Sequence, residues 1–179
     1  MNYFLFLLYT AACCWLICRS GFARRSGLNT KEIGLLFLLK AAAGVAIGWA
    51  SLHLYGSGND YWDVNREAWN DYQLLIRDPG EYARSFFRSG YGHGYGGLFS
   101  SFDSFWNDMK NNVVIRVVSL FNLFSRGDYY LNSLFFNSLV FFGHVALYRL
   151  FSGIFPGRKW VLVIGCFLFL SLLYFSSGI

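Results

Sequence analysis

Long apolar runs alternate with polar segments along the chain, and this pattern predicts four membrane-spanning helices. The runs cover residues 3–18, 33–54, 129–151 and 160–175. A helix of roughly 17–25 mainly apolar residues crosses the hydrocarbon core of a bilayer, so the first and last runs are at the short end of this range. We therefore predict an all-α integral membrane helical bundle, built as a single membrane domain over residues 1–179.

The longest polar segment, residues 55–128, separates the second span from the third. Helical patterns recur within it at residues 62–76, 81–87, 98–109 and 112–126, and we expect these helices to lie at the membrane interface. A run of glycine and tyrosine at residues 89–97 interrupts them. The last helix has one polar stripe on an otherwise apolar surface, and we expect it either in the outer interface or packed against the bundle. We expect Arg116, in that stripe, to face lipid headgroups or the acidic residues of the same segment.

The positions of the basic residues predict how the chain is oriented. Arginine and lysine cluster at residues 19–31 and 158–159, directly beside apolar runs. Loops rich in these residues usually stay in the cytoplasm. The N-terminus and residues 55–128 are then outside, and we expect the chain in the inner (cytoplasmic) membrane. No positive charge precedes residues 3–18, so we interpret that run as a retained helix and not as a cleavable signal peptide.

Composition narrows the function classes. Hydrophobic residues make up 55% of the chain, aromatic residues 21% and charged residues 14%, a balance that favours lipid over water as the main solvent. The net charge of +5 comes from short clusters and does not follow one face, so we expect no nucleic-acid partner. The four cysteines lie inside apolar runs without the spacing of a metal site, and we predict no bound metal.

Polar residues inside the predicted spans have two interpretations each. Lys40 is either a buried cation facing a polar cavity or a side chain that extends along the helix to the interface, and we favour the second. Asn137 and His144 lie on one face of the third span, where we favour hydrogen bonding between helices over a functional role. Gly44 and Gly48 allow close approach of another helix to the second span.

An acidic and aromatic stretch, residues 55–72, is the candidate site. It is either a binding site or an interfacial belt of rings with solvating acids. Asp63, Glu67 and Asp71 recur at four-residue steps, so on a helix they share one face, which we expect to be solvated. Asp60 stands apart from them at the end of the second span.

These residues also carry a resemblance to a known class. A span, then an outside loop opening with Asp60, Tyr61, Trp62 and Asp63, then interfacial helices, then residues 126–132 (RGDYYLN) leading into the next span, resemble the N-terminal part of the GT-C class of membrane glycosyltransferases. The chain especially resembles bacterial multi-pass proteins of that type. One feature departs from the pattern, because the acidic loop of the class usually follows the first helix and here follows the second.

The resemblance implies an enzyme that moves a sugar from a polyprenyl-phosphate donor to an acceptor at the outer membrane face. Asp60 or Asp63 would be the catalytic base or a metal ligand, and Arg116 would contact the phosphate. Trp62 and Tyr61 would line the substrate site. No cofactor is implied, although the class allows a divalent cation.

The main alternative is a non-catalytic multi-pass membrane protein, either a scaffold or a polysaccharide-assembly subunit. A transporter is a third interpretation; it would place charged or broken-helix features near the middle of the membrane, and only Lys40 and His144 come close to this. Because the sequence stops directly after an apolar run, we expect a fragment with more helices beyond Ile179.

Overall fold

A computed structural model describes residues 3–56, 60–86 and 105–169, apart from the side chains of 55, 60, 61 and 105–108. This part of the chain is helical and contains no strand. The helices are α1 (Tyr3–Arg19), α2 (Gly21–Arg24), α3 (Thr30–Tyr55), α4 (Asp60–Arg77), α5 (Pro79–Ser85), α6 (Phe105–Ser125), α7 (Tyr129–Ile154) and α8 (Lys159–Val163), which continues as a π-helix over Ile164–Leu168.

The all-helical prediction is confirmed for the described residues, and the predicted spans are confirmed in part. Helices α3 and α7 are long and apolar enough to cross a membrane. Helix α1 and residues 159–168 are apolar but shorter. A bundle of four spans stays a prediction, and residues 170–175 of the predicted last span lie outside the described part.

Helices α3 and α7 form the centre of the bundle and run antiparallel. Near one end, the ring of Tyr129 packs on Gly48, and a Cβ atom built at that glycine would overlap the ring. Further along, Phe37 and Phe141 meet edge to face with ring centres 5.6 Å apart. Helix α1 packs on both α3 and α7. The ring of Tyr9 on α1 contacts Phe135 on α7. Gly48 therefore allows the close approach of α7 to α3 that was predicted for it.

The other end of α3 and α7 carries the basic clusters, and we call it the basic end. Asn29 begins α3 with a capping box, in which its own N–H donates to Glu32 at 2.7 Å. The Glu32 carboxylate also accepts from Lys159 Nζ at 2.8 Å. One carboxylate thus caps α3 and joins it to the start of α8.

Helices α4, α5 and α6 pack together beside the Tyr129 end of the bundle, and we call them the helical cap. Their bounds differ from the prediction at one point, because residues 105–125 form a single helix where two amphipathic segments were predicted. The predicted run of glycine and tyrosine at residues 89–97, with its His93, lies outside the described residues. Aspartate side chains cap the N-termini of α5 and α7: Asp78 accepts a hydrogen bond from Glu81 N, and Asp128 accepts one from Tyr130 N.

Over residues 116–125, the cap helix α6 exposes large apolar side chains and buries mostly polar ones. Its exposed side chains include Leu120, Leu123 and Phe124, the last 62% exposed. Its buried side chains include Arg116 and Asn122. The polar stripe recognised in the sequence therefore faces the protein interior, which is the reverse of a helix at a water-covered surface.

Candidate functional site

The predicted catalytic pair begins α4. Asp60 is the first residue of that helix and Tyr61 the second, and the side chains of both lie outside the described part of the structure. The Asp63 carboxylate lies 2.9 Å from Arg66 Nη2, in a partly exposed ion pair one turn apart on the helix. The assignment of Asp60 and Asp63 as catalytic residues stays a prediction, as does that of Tyr61 at the substrate site.

Trp62, the other predicted substrate contact, joins the cap to the central helices. Its ring stacks on Tyr129 with centres 4.3 Å apart and planes 12° from parallel. Its indole Nε1 donates to the carbonyl oxygen of Gly48 at 3.4 Å. Helices α3, α4 and α7 therefore meet at Trp62, and its predicted role in substrate binding stays a prediction.

Arg116 occupies the centre of the cap with 7% of its surface exposed. Its Nη1 donates to the carbonyl oxygen of Tyr82 at 3.1 Å, and its Nη2 donates to Ser85 Oγ at 2.7 Å. Its Nε lies 3.3 Å from Asn112 Oδ1 and 3.2 Å from Asp71 Oδ2. The guanidinium also lies 4.2 Å from the centre of the Tyr82 ring. Arg116 thereby ties α4 and α5 to α6.

The ion pair between Arg116 and Asp71 decides between the two orientations expected from the sequence. Arg116 points toward the acidic segment and not toward headgroups. The side chain of Asp71 is only 23% exposed, so Asp71 is not part of the solvated face predicted for it. Burial raises the pKa of the Asp71 carboxyl above its ordinary value, and the charge of Arg116 offsets part of that rise. Glu67 is exposed, as expected.

Three buried asparagines link α4, α6 and α7 close to this pair. Asn132 Nδ2 donates to Asn65 Oδ1 and to Asn122 Oδ1, both at 2.8 Å. Ser125 Oγ donates to Asn132 Oδ1 at 2.6 Å. Gly127 closes the turn after α6: its N–H donates to Asn122 Oδ1, and its carbonyl accepts from Asn65 Nδ2. We call these groups the asparagine cluster.

Sequence analysis missed the asparagine cluster, although one signal for it was present. Asn65 is three residues before Ala68 and seven before Tyr72, so it shares the inner face of α4 with them. Asn122 follows Arg116 and Ser119 at helical spacing in the polar stripe of α6. A polar residue on the packed face of a helix needs a hydrogen-bond partner, and these asparagines are partners of one another.

Lys40, Asn137 and His144, the polar residues singled out within α3 and α7, are buried inside the bundle. Lys40 is 3% exposed, so the predicted extension along the helix to the interface is wrong. It interacts electrostatically with His144 on α7. His144 Nδ1 lies 2.7 Å from the carbonyl oxygen of Cys166, and the hydrogen bond between helices that we favoured for His144 is present. Asn137 Nδ2 bonds within its own helix, to the carbonyl oxygen of Ser133.

Taken together, the described residues define an all-helical protein with two helices able to span a membrane and a polar junction beside them. In residues 3–56, 60–86 and 105–169, no three histidine, cysteine or acidic side chains come together as a metal site. No protein family, curated protein or solved structure matches the chain significantly.

Proposed function

We propose that this chain is an integral membrane protein of the inner membrane whose helical cap serves as a non-catalytic assembly surface on the outer side. The cap would be held in one orientation on the spans and would contact another component of the cell envelope. This is the alternative to the enzyme in the sequence analysis.

The observation that carries the membrane part of this proposal is that α6 and α7 bury asparagines while they expose large apolar side chains. Asn122 and Asn132 are fully buried, whereas Phe124 and Leu150 are each 62% exposed. Water around such a protein would leave its large apolar side chains uncovered, but lipid covers them without cost. Polar groups in a membrane protein then face one another, as they do in the asparagine cluster.

The assembly part rests on how the cap is attached. Arg116 connects the cap helices with each other, and Trp62 and Asn132 connect them with α3 and α7. The outer face of α4 is left exposed along Arg66, Glu67, Asn70 and Gln73. A rigidly mounted polar helix face is suited to repeated contact with one partner, since little ordering is required on binding.

A photo-crosslinking amino acid at Asn70, introduced into the full-length gene in cells, tests the assembly role. We expect one adduct of defined mass, whose protein component is then identified by mass spectrometry and confirmed from the partner's side. The variant Asn132→Leu, which removes the hydrogen bonds from α7 to Asn65 and Asn122 of the cap, should reduce the yield of the adduct. A crosslinker at Leu8, an exposed apolar residue of α1, is the matched control and should capture lipid. Lipid alone at both positions would refute the assembly role.

Sugar transfer is the second candidate function. One observation favours it: Asp60 and Asp63 both lie in the first turn of α4, directly after the end of α3, and the Asp63 side chain is 35% exposed. A carboxylate there would be close to the headgroup plane and could accept a proton from an acceptor hydroxyl. Asp60→Asn and Asp63→Asn, assayed with lipid-linked sugar donors in the full-length gene, test this. Unchanged turnover in both variants would exclude the enzyme.

A further inference from the structure

An open groove of about 320 Å³ lies at the basic end of the bundle, between α2 and the last turns of α7. Phe22, Ala146, Arg149 and Leu150 line it. The guanidinium carbon of Arg149 lies 4.8 Å from the centre of the Phe22 ring, so the aromatic face holds the charge in the groove. In the described part of the chain, no carboxylate lies within ion-pair distance of Arg149. The groove combines an arginine with apolar walls.

The position of Arg149 along α7 matches the thickness of a bilayer. At about 1.5 Å per residue, Arg149 is about 30 Å from Tyr129, and the hydrocarbon core is also about 30 Å thick. Tyr129 stacks with Trp62, and such aromatic pairs are typical of one membrane interface. Arg149 then lies at the level of the headgroups on the opposite side.

An exposed face of α7 leads away from the groove toward the middle of the bundle. Leu139, Gly143, Ala146 and Leu150 follow one another at three- and four-residue steps on this face, and Leu139 and Leu150 are more than half exposed. Gly143 has no neighbouring atom within 4 Å of a Cβ position. Gly143 and Ala146, the small residues between the two leucines, leave space for an extended hydrocarbon chain to lie along this apolar face.

The charge around the groove selects the headgroup. Arg24 and Arg25 are exposed and follow Phe22 closely along the chain. Glu32 is the one acidic residue in the sequence segments 3–54 and 129–169, and it is bound by Lys159. An uncompensated group of arginines at a membrane surface attracts negatively charged lipid.

We infer that this groove binds an anionic glycerophospholipid. Its phosphate pairs with Arg149, whose planar guanidinium matches two phosphate oxygens, and one acyl chain follows the exposed face of α7. The inference rests on the proposed membrane location of the protein.

Native mass spectrometry of the full chain in a mild detergent tests the inference, with phosphatidylglycerol or phosphatidylcholine added to the micelles. Wild-type protein should retain phosphatidylglycerol in preference to phosphatidylcholine. Arg149→Gln should weaken retention of phosphatidylglycerol about fivefold, equivalent to about 1 kcal/mol for one arginine at the surface. Arg158→Gln makes the same charge change at the same end but outside the groove, and should leave retention within about twofold of wild type on the same scale.

A second variant keeps all the charge and fills the groove. Ala146→Phe, at an exposed position, should block retention while Arg149 stays in place. Equal retention in wild type, Arg149→Gln and Ala146→Phe would refute the site, as would equal losses in Arg149→Gln and Arg158→Gln. Displacement of the lipid by millimolar inorganic phosphate would show an anion site without lipid selectivity and would also refute it. Carbonate extraction of membranes separately tests the membrane location, because a protein released by carbonate contradicts the proposed function itself.

Discussion

Replacing Arg116 with methionine should release α5 from the cap. The change removes donors to the Tyr82 carbonyl and to Ser85 Oγ and leaves the largely buried Asp71 carboxylate without its cation. Breaking a buried pair by removing one partner typically costs about 3–5 kcal/mol. Because Asp71 retains 23% exposure, we expect the lower end of this range, about 3 kcal/mol.

Replacing the other partner of the ion pair, Asp71→Asn, should lower stability much less. Two charges 3.2 Å apart attract by roughly 5 kcal/mol at an effective dielectric constant of 20. Burial nevertheless raises the pKa of Asp71, so desolvation of the carboxylate cancels much of this attraction. An asparagine still accepts a hydrogen bond from Arg116, and we expect a loss of about 1 kcal/mol.

Hydrogen exchange of the amides in α5, followed by mass spectrometry in detergent, measures this difference. About 3 kcal/mol corresponds to an acceleration on the order of 100-fold for Arg116→Met, against about fivefold for Asp71→Asn. Amides of α1, which is remote from the cap, serve as the internal control and should not change. Equal acceleration in the two variants, or none in Arg116→Met, would show that Arg116 does not hold the cap together.

Three further predictions concern other contacts. Gly48→Ala should lower stability by about 1–3 kcal/mol because its Cβ atom overlaps the Tyr129 ring, whereas Gly143→Ala, in open space, should be neutral or slightly stabilising; the midpoint of thermal unfolding in one detergent measures both. Asn132→Leu should cost about 2–4 kcal/mol, because it leaves the buried Asn65 Oδ1 without its donor and removes one of the donors to Asn122 Oδ1; hydrogen exchange in α4 and α6 measures this. Asp71 should make stability pH-dependent, because burial raises the pKa of its carboxyl in the folded protein. Its contribution to the free energy of unfolding is present below about pH 4 and is lost as pH rises through the folded pKa. Asp71→Asn should remove this dependence.

Each of these has an outcome that contradicts it. Identical midpoints for Gly48→Ala and Gly143→Ala would mean that α3 and α7 are not in contact at Tyr129. Unchanged exchange in Asn132→Leu would mean that the asparagine cluster contributes no stability. A stability difference between wild type and Asp71→Asn that is constant from pH 4 to 7 would contradict the raised pKa, since that range spans the ordinary value and neutrality.

The sequence alone predicted most of the helices and their approximate bounds, although it divided α6 into two segments. Apolar runs predicted α1, α3 and α7 to within a few residues, because a long apolar segment satisfies its backbone groups most simply as a helix. The resemblance to glycosyltransferases added roles for Asp60, Asp63 and Arg116 that stay predictions. What the polar stripe of α6 would face was left open, because periodicity shows which residues share a face and not what that face contacts.

Tertiary structure decided the partners of the polar residues. Arg116 bonds to residues 31 and 34 positions away, and Asn132 bonds to Asn65 at a separation of 67. No local pattern encodes such separations. The arrangement of α4, α6 and α7 places Arg116, Asn65, Asn122 and Asn132 inside, where each polar group without a partner would carry a desolvation penalty. Because of this packing, the polar stripe of α6 contacts other helices of the protein and not lipid headgroups, and it holds the cap on the bundle.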